Sequence, residues 1–232
     1  MQNNNSLERE IQLRFMDIIK NQKENITSNS YKVYQKLVFY RYEEIIKNTF
    51  AQFIKHISVE ELEDSIYEFL KNPPETQFVW KIANDYRKFV KKNDTFINRV
   101  YLYELLYFEW IEMELLMKEY KEKEESIFSW TNSYKLSISA RIKKFNYDVI
   151  GTNYEELREN FLIIYFDFSN NEVLYREINQ FIYVLIKKLK EGSLEEILNK
   201  LCLENDIELT DAKNILEEPL KELILNKALT GI

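Results

Sequence analysis

The sequence predicts a mainly α protein with a small β-sheet, an α+β chain with an N-terminal helical bundle over residues 1–120 and a C-terminal winged-helix-like domain over residues 121–232. Three observations carry this. Only 3 Gly and 3 Pro occur in 232 residues, too few for a turn-rich all-β fold. Apolar residues recur at helical spacing through the first half. After residue 126 the pattern changes to alternation and then to a strand-like run, Phe161-Leu162-Ile163-Ile164-Tyr165-Phe166-Asp167-Phe168, before helical spacing returns.

Taken in order, residues 7–23 put Leu7, Ile11, Phe15, Ile18 and Ile19 on one helix face. A polar connector over 21–30 follows, and Ser30 suits a cap. Residues 31–57, with Tyr34, Leu37, Phe39, Ile45, Ile46, Phe50 and Phe53, read as one long helix or two in series. Ser58-Val59-Glu60-Glu61 is a capping box, in which the Ser oxygen takes an orphan amide and Glu61 reaches back. The helix it opens must end before Pro73-Pro74. Residues 76–92 repeat the period with Phe78, Ile82, Tyr86 and Phe89.

The stretch from Val100 to Met117 is the centre of the chain. It holds no Gly or Pro and is apolar nearly all round, so it must be buried among other elements or covered by a partner. Glu104, Glu109, Glu112 and Glu114 interrupt it, which excludes a membrane span. The charged run over 118–126 marks the domain boundary. Beyond it Leu136, Ile138, Ala140 and Ile142 alternate with polar residues. Ser169-Asn170-Asn171 is a hairpin turn from which residues 172–178 return as a second strand. A helix over 180–190 stops at Gly192 in a left-handed conformation. Ser193-Leu194-Glu195-Glu196 is a second capping box. Thr210 or Asp211 caps the last helix, and Pro219 kinks it.

Composition narrows the function classes. Apolar residues at 45% and charged residues at 31% describe a globular chain. With 32 Lys and Arg against 39 Asp and Glu the net charge is −7, a poor basis for general phosphate binding. The single Cys202 makes no internal disulfide and suits a reducing compartment. The first residues lack the basic-then-apolar layout of a signal peptide, so the expectation is a cytoplasmic protein without a membrane segment.

Catalytic groups are scarce. His56 is the sole histidine and falls near a helix end, the position of a surface or C-cap residue. Cys202 lies between Leu201 and Leu203, as a small core thiol would. One His and one Cys cannot build a zinc site of the usual nitrogen and sulfur types. The isolated Gly151, Gly192 and Gly231 form no phosphate-cradling loop. The acids of the central helix lack the Glu-x-x-His partners of a di-iron bundle. No catalytic residue, metal or cofactor is therefore expected. Residues 81–99 carry six bases and two acids, and residues 135–144 four bases and no acid. Residues 180–232 hold seven Lys against ten acids, and Glu217-Glu218 would repel DNA. A DNA-binding transcriptional regulator is thus the alternative reading, compatible in shape and opposed by charge.

Several segments together point further: Val33-Tyr34-Gln35, Thr49-Phe50-Ala51, Asn72-Pro73-Pro74-Glu75-Thr76, Asp85-Tyr86-Arg87-Lys88-Phe89, and Tyr101-Leu102-Tyr103-Glu104-Leu105 running into Phe108-Glu109-Trp110. This set resembles the HvfC/MbnC-like family, whose N-terminal domain carries a DNA-binding label. The resemblance covers residues 7–117, with a weaker echo to Leu229-Thr230-Gly231-Ile232. Gln35 stands where Arg is expected and Ala51 where Pro is expected, the mark of a divergent member. The resemblance implies a non-catalytic accessory protein. Its partner would be a TIM-barrel, multinuclear non-haem iron oxygenase that modifies cysteines in a ribosomally made precursor peptide, with the iron held by the enzyme. In that heterodimer Tyr101, Tyr103, Tyr107, Glu109 and Trp110 are the expected partner-binding residues. Phe161, Ile163, Tyr165, Val173 and Tyr175 are the expected peptide-binding residues, flanking a hairpin edge that takes the leader peptide by strand addition.

Overall fold

A computed structural model describes residues 29–74, 76, 78–121 and 126–232. The helix expected over 7–23 and most of its connector lie outside the described residues. The chain is mainly helical with small antiparallel sheets, and it divides into two compact units, Met1–Trp110 and Ile111–Ile232. The division falls inside the central helix.

The first unit contains α1 (Asn29–Thr49), a 3-10 turn (Phe53–His56), α2 (Val59–Leu70), α3 (Val79–Lys92) and the opening residues of α4 (Tyr101–Met117). Ser30 lies inside α1, one residue past its start. The first capping box forms: Ser58 Oγ accepts from the Glu61 amide at 3.1 Å, and Glu61 Oε2 accepts from the Ser58 amide at 2.8 Å. Ile46, Phe50, Phe53, Ile66, Leu70, Tyr86, Leu102 and Leu106 fill the core. Each such side chain contributes about 1.5–3 kcal/mol on leaving water. One polar contact sits among them. The Ser65 hydroxyl donates to the Leu62 carbonyl at 2.7 Å, so the Tyr86 hydroxyl, also 2.7 Å away, donates to Ser65. Burial pushes the Tyr86 phenol well above its ordinary range.

The second unit begins with the closing residues of α4. It continues through β1 (Tyr134–Leu136), β2 (Ala140–Phe145), β3 (Asn160–Asp167), β4 (Glu172–Ile178), α5 (Gln180–Lys188), α6 (Leu194–Asn205), α7 (Leu209–Leu225) and β5 (Leu229–Gly231). β2, β3 and β4 form an antiparallel sheet in that order, and β1 pairs with β5. Asn171, at φ 56°, turns the chain between β3 and β4. Phe161, Ile163 and Tyr165 join Leu185, Leu198, Leu201, Leu216 and Leu220 in one core.

Two expected helix boundaries are corrected. Gly192 is not left-handed; α5 ends with Leu189 in the right-handed region. A Cβ at Gly192 would stand 2.7 Å from Glu196 Oε2, the end of a flexible side chain that would have to shift. That oxygen accepts from the Ser193 amide at 2.9 Å and completes the second capping box. At α7 the cap position belongs to Glu208, whose side chain makes no capping bond, while Thr210 and Asp211 lie in the first turn. The helix runs through Pro219.

Candidate functional site

The five partner-binding candidates on α4 all find partners within the first unit. Glu109 is 7% exposed. Its carboxylate accepts from the backbone amides of Gln52 at 2.7 Å and Phe53 at 3.1 Å, the orphan donors that open the 3-10 turn. Trp110 is buried and donates its indole N–H to the Trp80 carbonyl at 3.0 Å. The Arg87 guanidinium lies 4.1 Å from the Trp110 ring and 4.5 Å from the Tyr107 ring, a cation–π arrangement on two rings. Tyr101 is buried with its hydroxyl 3.4 Å from His56 Nδ1, and the Tyr103 hydroxyl accepts from the Phe96 amide at 3.2 Å. Only Tyr103 and Tyr107 keep partial exposure.

The five peptide-binding candidates separate onto two faces of the sheet. Register pairs Ala140 with Tyr165 and Leu174, Ile142 with Ile163 and Arg176, and Phe161 with Ile178. Side chains opposite one another share a face. Phe161, Ile163 and Tyr165 therefore lie together on the face that packs against the helices, and all three are buried. Val173 and Tyr175 lie on the other face, beside Phe166 and Ile164. Tyr175 is 52% exposed.

Both sets adjoin strand β4, which carries Val173 and Tyr175 and pairs with β3, the strand of Phe161, Ile163 and Tyr165. On one side it pairs with β3; among the described residues no strand pairs with its other side. It is the more exposed of the two outer strands. Leu174, missed in the sequence, is 37% exposed on the helix-facing side and sits next to Tyr175 along this edge. Two of the three charged residues on β4, Arg176 and Glu177, are paired within the unit. Arg176 pairs with Glu222. Glu177 accepts from Arg158 Nη1 at 2.7 Å, and Arg158 Nη2 reaches Asp148 at 2.7 Å. That arginine holds the Asp148 carboxyl below its ordinary value. β2, the opposite outer strand, presents Arg141, Lys143 and Lys144, and charged residues of this kind discourage further pairing. The outer edge of β4 thus combines a side with which no described strand pairs, exposed apolar side chains and ion pairs at Arg176 and Glu177.

The remaining reactive groups are dispersed. The His56 carbonyl accepts from Arg99 at 2.6 Å. Cys202 is buried, which pushes its thiol up. Among the described residues no three His, Cys, Asp or Glu gather as metal ligands, and no helix is long and apolar enough to cross a membrane. No family model matches the chain, and no curated protein matches it.

Proposed function

We propose that this chain is a non-catalytic accessory protein that binds a TIM-barrel, multinuclear-iron oxygenase in the cytoplasm and helps present a ribosomal precursor peptide for cysteine modification. The resemblance in the α1–α4 segments supports the class of partner. The observation that carries the peptide role is the open, apolar edge of β4. An extended leader peptide laid along it gains ladder hydrogen bonds without any rearrangement of the sheet. Its alternate side chains would meet Leu174 on one face and Val173 and Tyr175 on the other. Phe161, Ile163 and Tyr165 support the strand from beneath.

Neighbouring amides along a strand point to opposite sides. Of Leu174 and Tyr175, one therefore donates toward β3 and the other toward the open edge. Leu174→Pro and Tyr175→Pro separate the two, since proline is tolerated where the amide faces outward. The variant that keeps the wild-type melting temperature should bind the co-encoded precursor peptide at least tenfold more weakly by fluorescence anisotropy. Wild-type affinity in that variant would eliminate strand addition.

A further inference from the structure

Strand β4 reads Glu172-Val173-Leu174-Tyr175-Arg176-Glu177-Ile178. Its register with β3 puts Glu172, Leu174, Arg176 and Ile178 on the helix-facing side of the sheet, and Val173, Tyr175 and Glu177 on the other. Edge strands are commonly protected by charged side chains, above all lysine, that deter pairing with another chain. β2 is protected in this way by Arg141, Lys143 and Lys144. β4 has no lysine, and its single base, Arg176, is held by Glu222. Exposed Leu174 and Tyr175 occupy the middle of the strand. Glu172 enters no ion pair among the described residues. The outer side of β4, with which no described strand pairs, is therefore an edge without the usual protection.

From this we infer that β4 pairs with β4 of a second copy of this chain, joining the two three-stranded sheets into one. A two-fold axis perpendicular to the sheet makes the two strands antiparallel, and residues directly opposite one another share a face. Centred on Leu174, the axis sets Leu174 against itself, Val173 against Tyr175 and Glu172 against Arg176. The last two contacts each form twice. Apolar residues then meet apolar residues and opposite charges meet, the pairings that stabilise antiparallel strands. Moving the axis by one residue loses this match. Centred on Tyr175, it sets Leu174 against Arg176, Val173 against Glu177 and Glu172 against Ile178; centred on Val173, it sets Glu172 against Leu174. The Arg176 guanidinium is partly exposed and carries several N–H donors, so it can hold Glu222 of its own chain and Glu172 of the second copy together. The pairing goes beyond the accessory role proposed above and does not rest on it. Because both use one edge, a paired copy and a bound peptide exclude one another.

Light scattering on the full chain at rising concentration, without peptide, tests the pairing. The expected result is a mass that climbs to near twice 28.3 kDa. Two variants set like charges opposite one another twice. One is Glu172→Arg. The other is Arg176→Glu, made together with Glu222→Gln so that no like charges meet within the chain. Each should be monomeric at concentrations where the wild type is dimeric, with unchanged circular dichroism. Mixed in equal amounts, they should form a one-to-one dimer, because every opposed charge pair is again of opposite sign. A wild-type chain that stays monomeric would overturn the inference and leave the edge to the peptide. Variants that remain dimeric alone would also overturn it, since the contact would then lie elsewhere. So would a mixture that fails to pair.

Discussion

Replacing Glu109 by glutamine distinguishes an internal role for the acid of the aromatic helix from a contact reserved for a partner. The carboxylate accepts from two amides, those of Gln52 and Phe53, in a site almost closed to water. Glutamine offers one carbonyl oxygen, and its amide nitrogen would face a second donor. One bond to a charged acceptor is lost, worth about 1.5–3 kcal/mol, and a buried N–H is left opposed by another. We expect a loss of about 2 kcal/mol for Glu109→Gln and about 3 kcal/mol for Glu109→Ala, which leaves both amides unpaired. The assay is urea unfolding followed by the fluorescence of Trp80 and Trp110 in a Trp130→Phe background, so that the signal reports the first unit. With a slope of about 2 kcal/mol per molar, the midpoint of the glutamine variant should fall by about 1 M. An unchanged midpoint in a natively folded variant would refute the capping role and return Glu109 to the surface.

Three further outcomes are expected. Ser65→Ala strands the buried Tyr86 hydroxyl and should cost about 1–2 kcal/mol in urea unfolding, most of it recovered in the Ser65→Ala/Tyr86→Phe double variant. Because Arg158 holds the Asp148 carboxyl below its ordinary 3.8, the pair stabilises the fold above that pH, and the stabilisation is lost as pH falls through the lowered folded value. Arg158→Met should therefore be less stable than wild type at neutral pH, and the gap should close below about pH 3.8 in a pH series of thermal melts. A fragment of residues 121–232 should melt well below one of residues 111–232. The shorter piece lacks buried Ile111 and Leu115, worth about 1.5–3 kcal/mol each, the Glu114 partner of Arg141, and the Tyr120 ring against Phe166. Equal melting temperatures would show that these residues do not belong to the second core.

What could be read in the sequence was local chemistry. Both capping boxes and the turn at Asn171 depend on side chains within a few residues of one another, and they form where expected. Gly192 was misread because the helix before it ends at Leu189 in the right-handed region, a boundary the glycine does not set. Glu109 stood out as an acid in an apolar helix, yet its amide partners lie 56 and 57 residues earlier in the chain. At the sheet, β3 is apolar on both faces, so alternation could not say which of its residues meet the helices. Leu174 was passed over because exposure along β4 is set by register and by the absence of a described strand beyond it, not by residue type.

The apolar circumference of α4 has a simple cause once the division of the chain is known. Tyr101, Leu102, Leu105, Leu106 and Trp110 are buried residues of the part of α4 in the first unit, and Ile111 and Leu115 of the part in the second. Both parts of the helix thus carry buried apolar residues, on either side of the division. Of the four acids that interrupt it, Glu109 and Glu114 are buried, and each is neutralised from within its own unit. Glu109 is met by amides of the 3-10 turn. Glu114 is met by Lys118 at 2.6 Å and Arg141 at 3.1 Å. A buried carboxylate survives only with such partners, so the acids are evidence for where each core lies rather than exceptions to it. Within the charged run over 118–126, Glu119 and Lys121 are exposed, whereas the division between the units falls earlier, between Trp110 and Ile111.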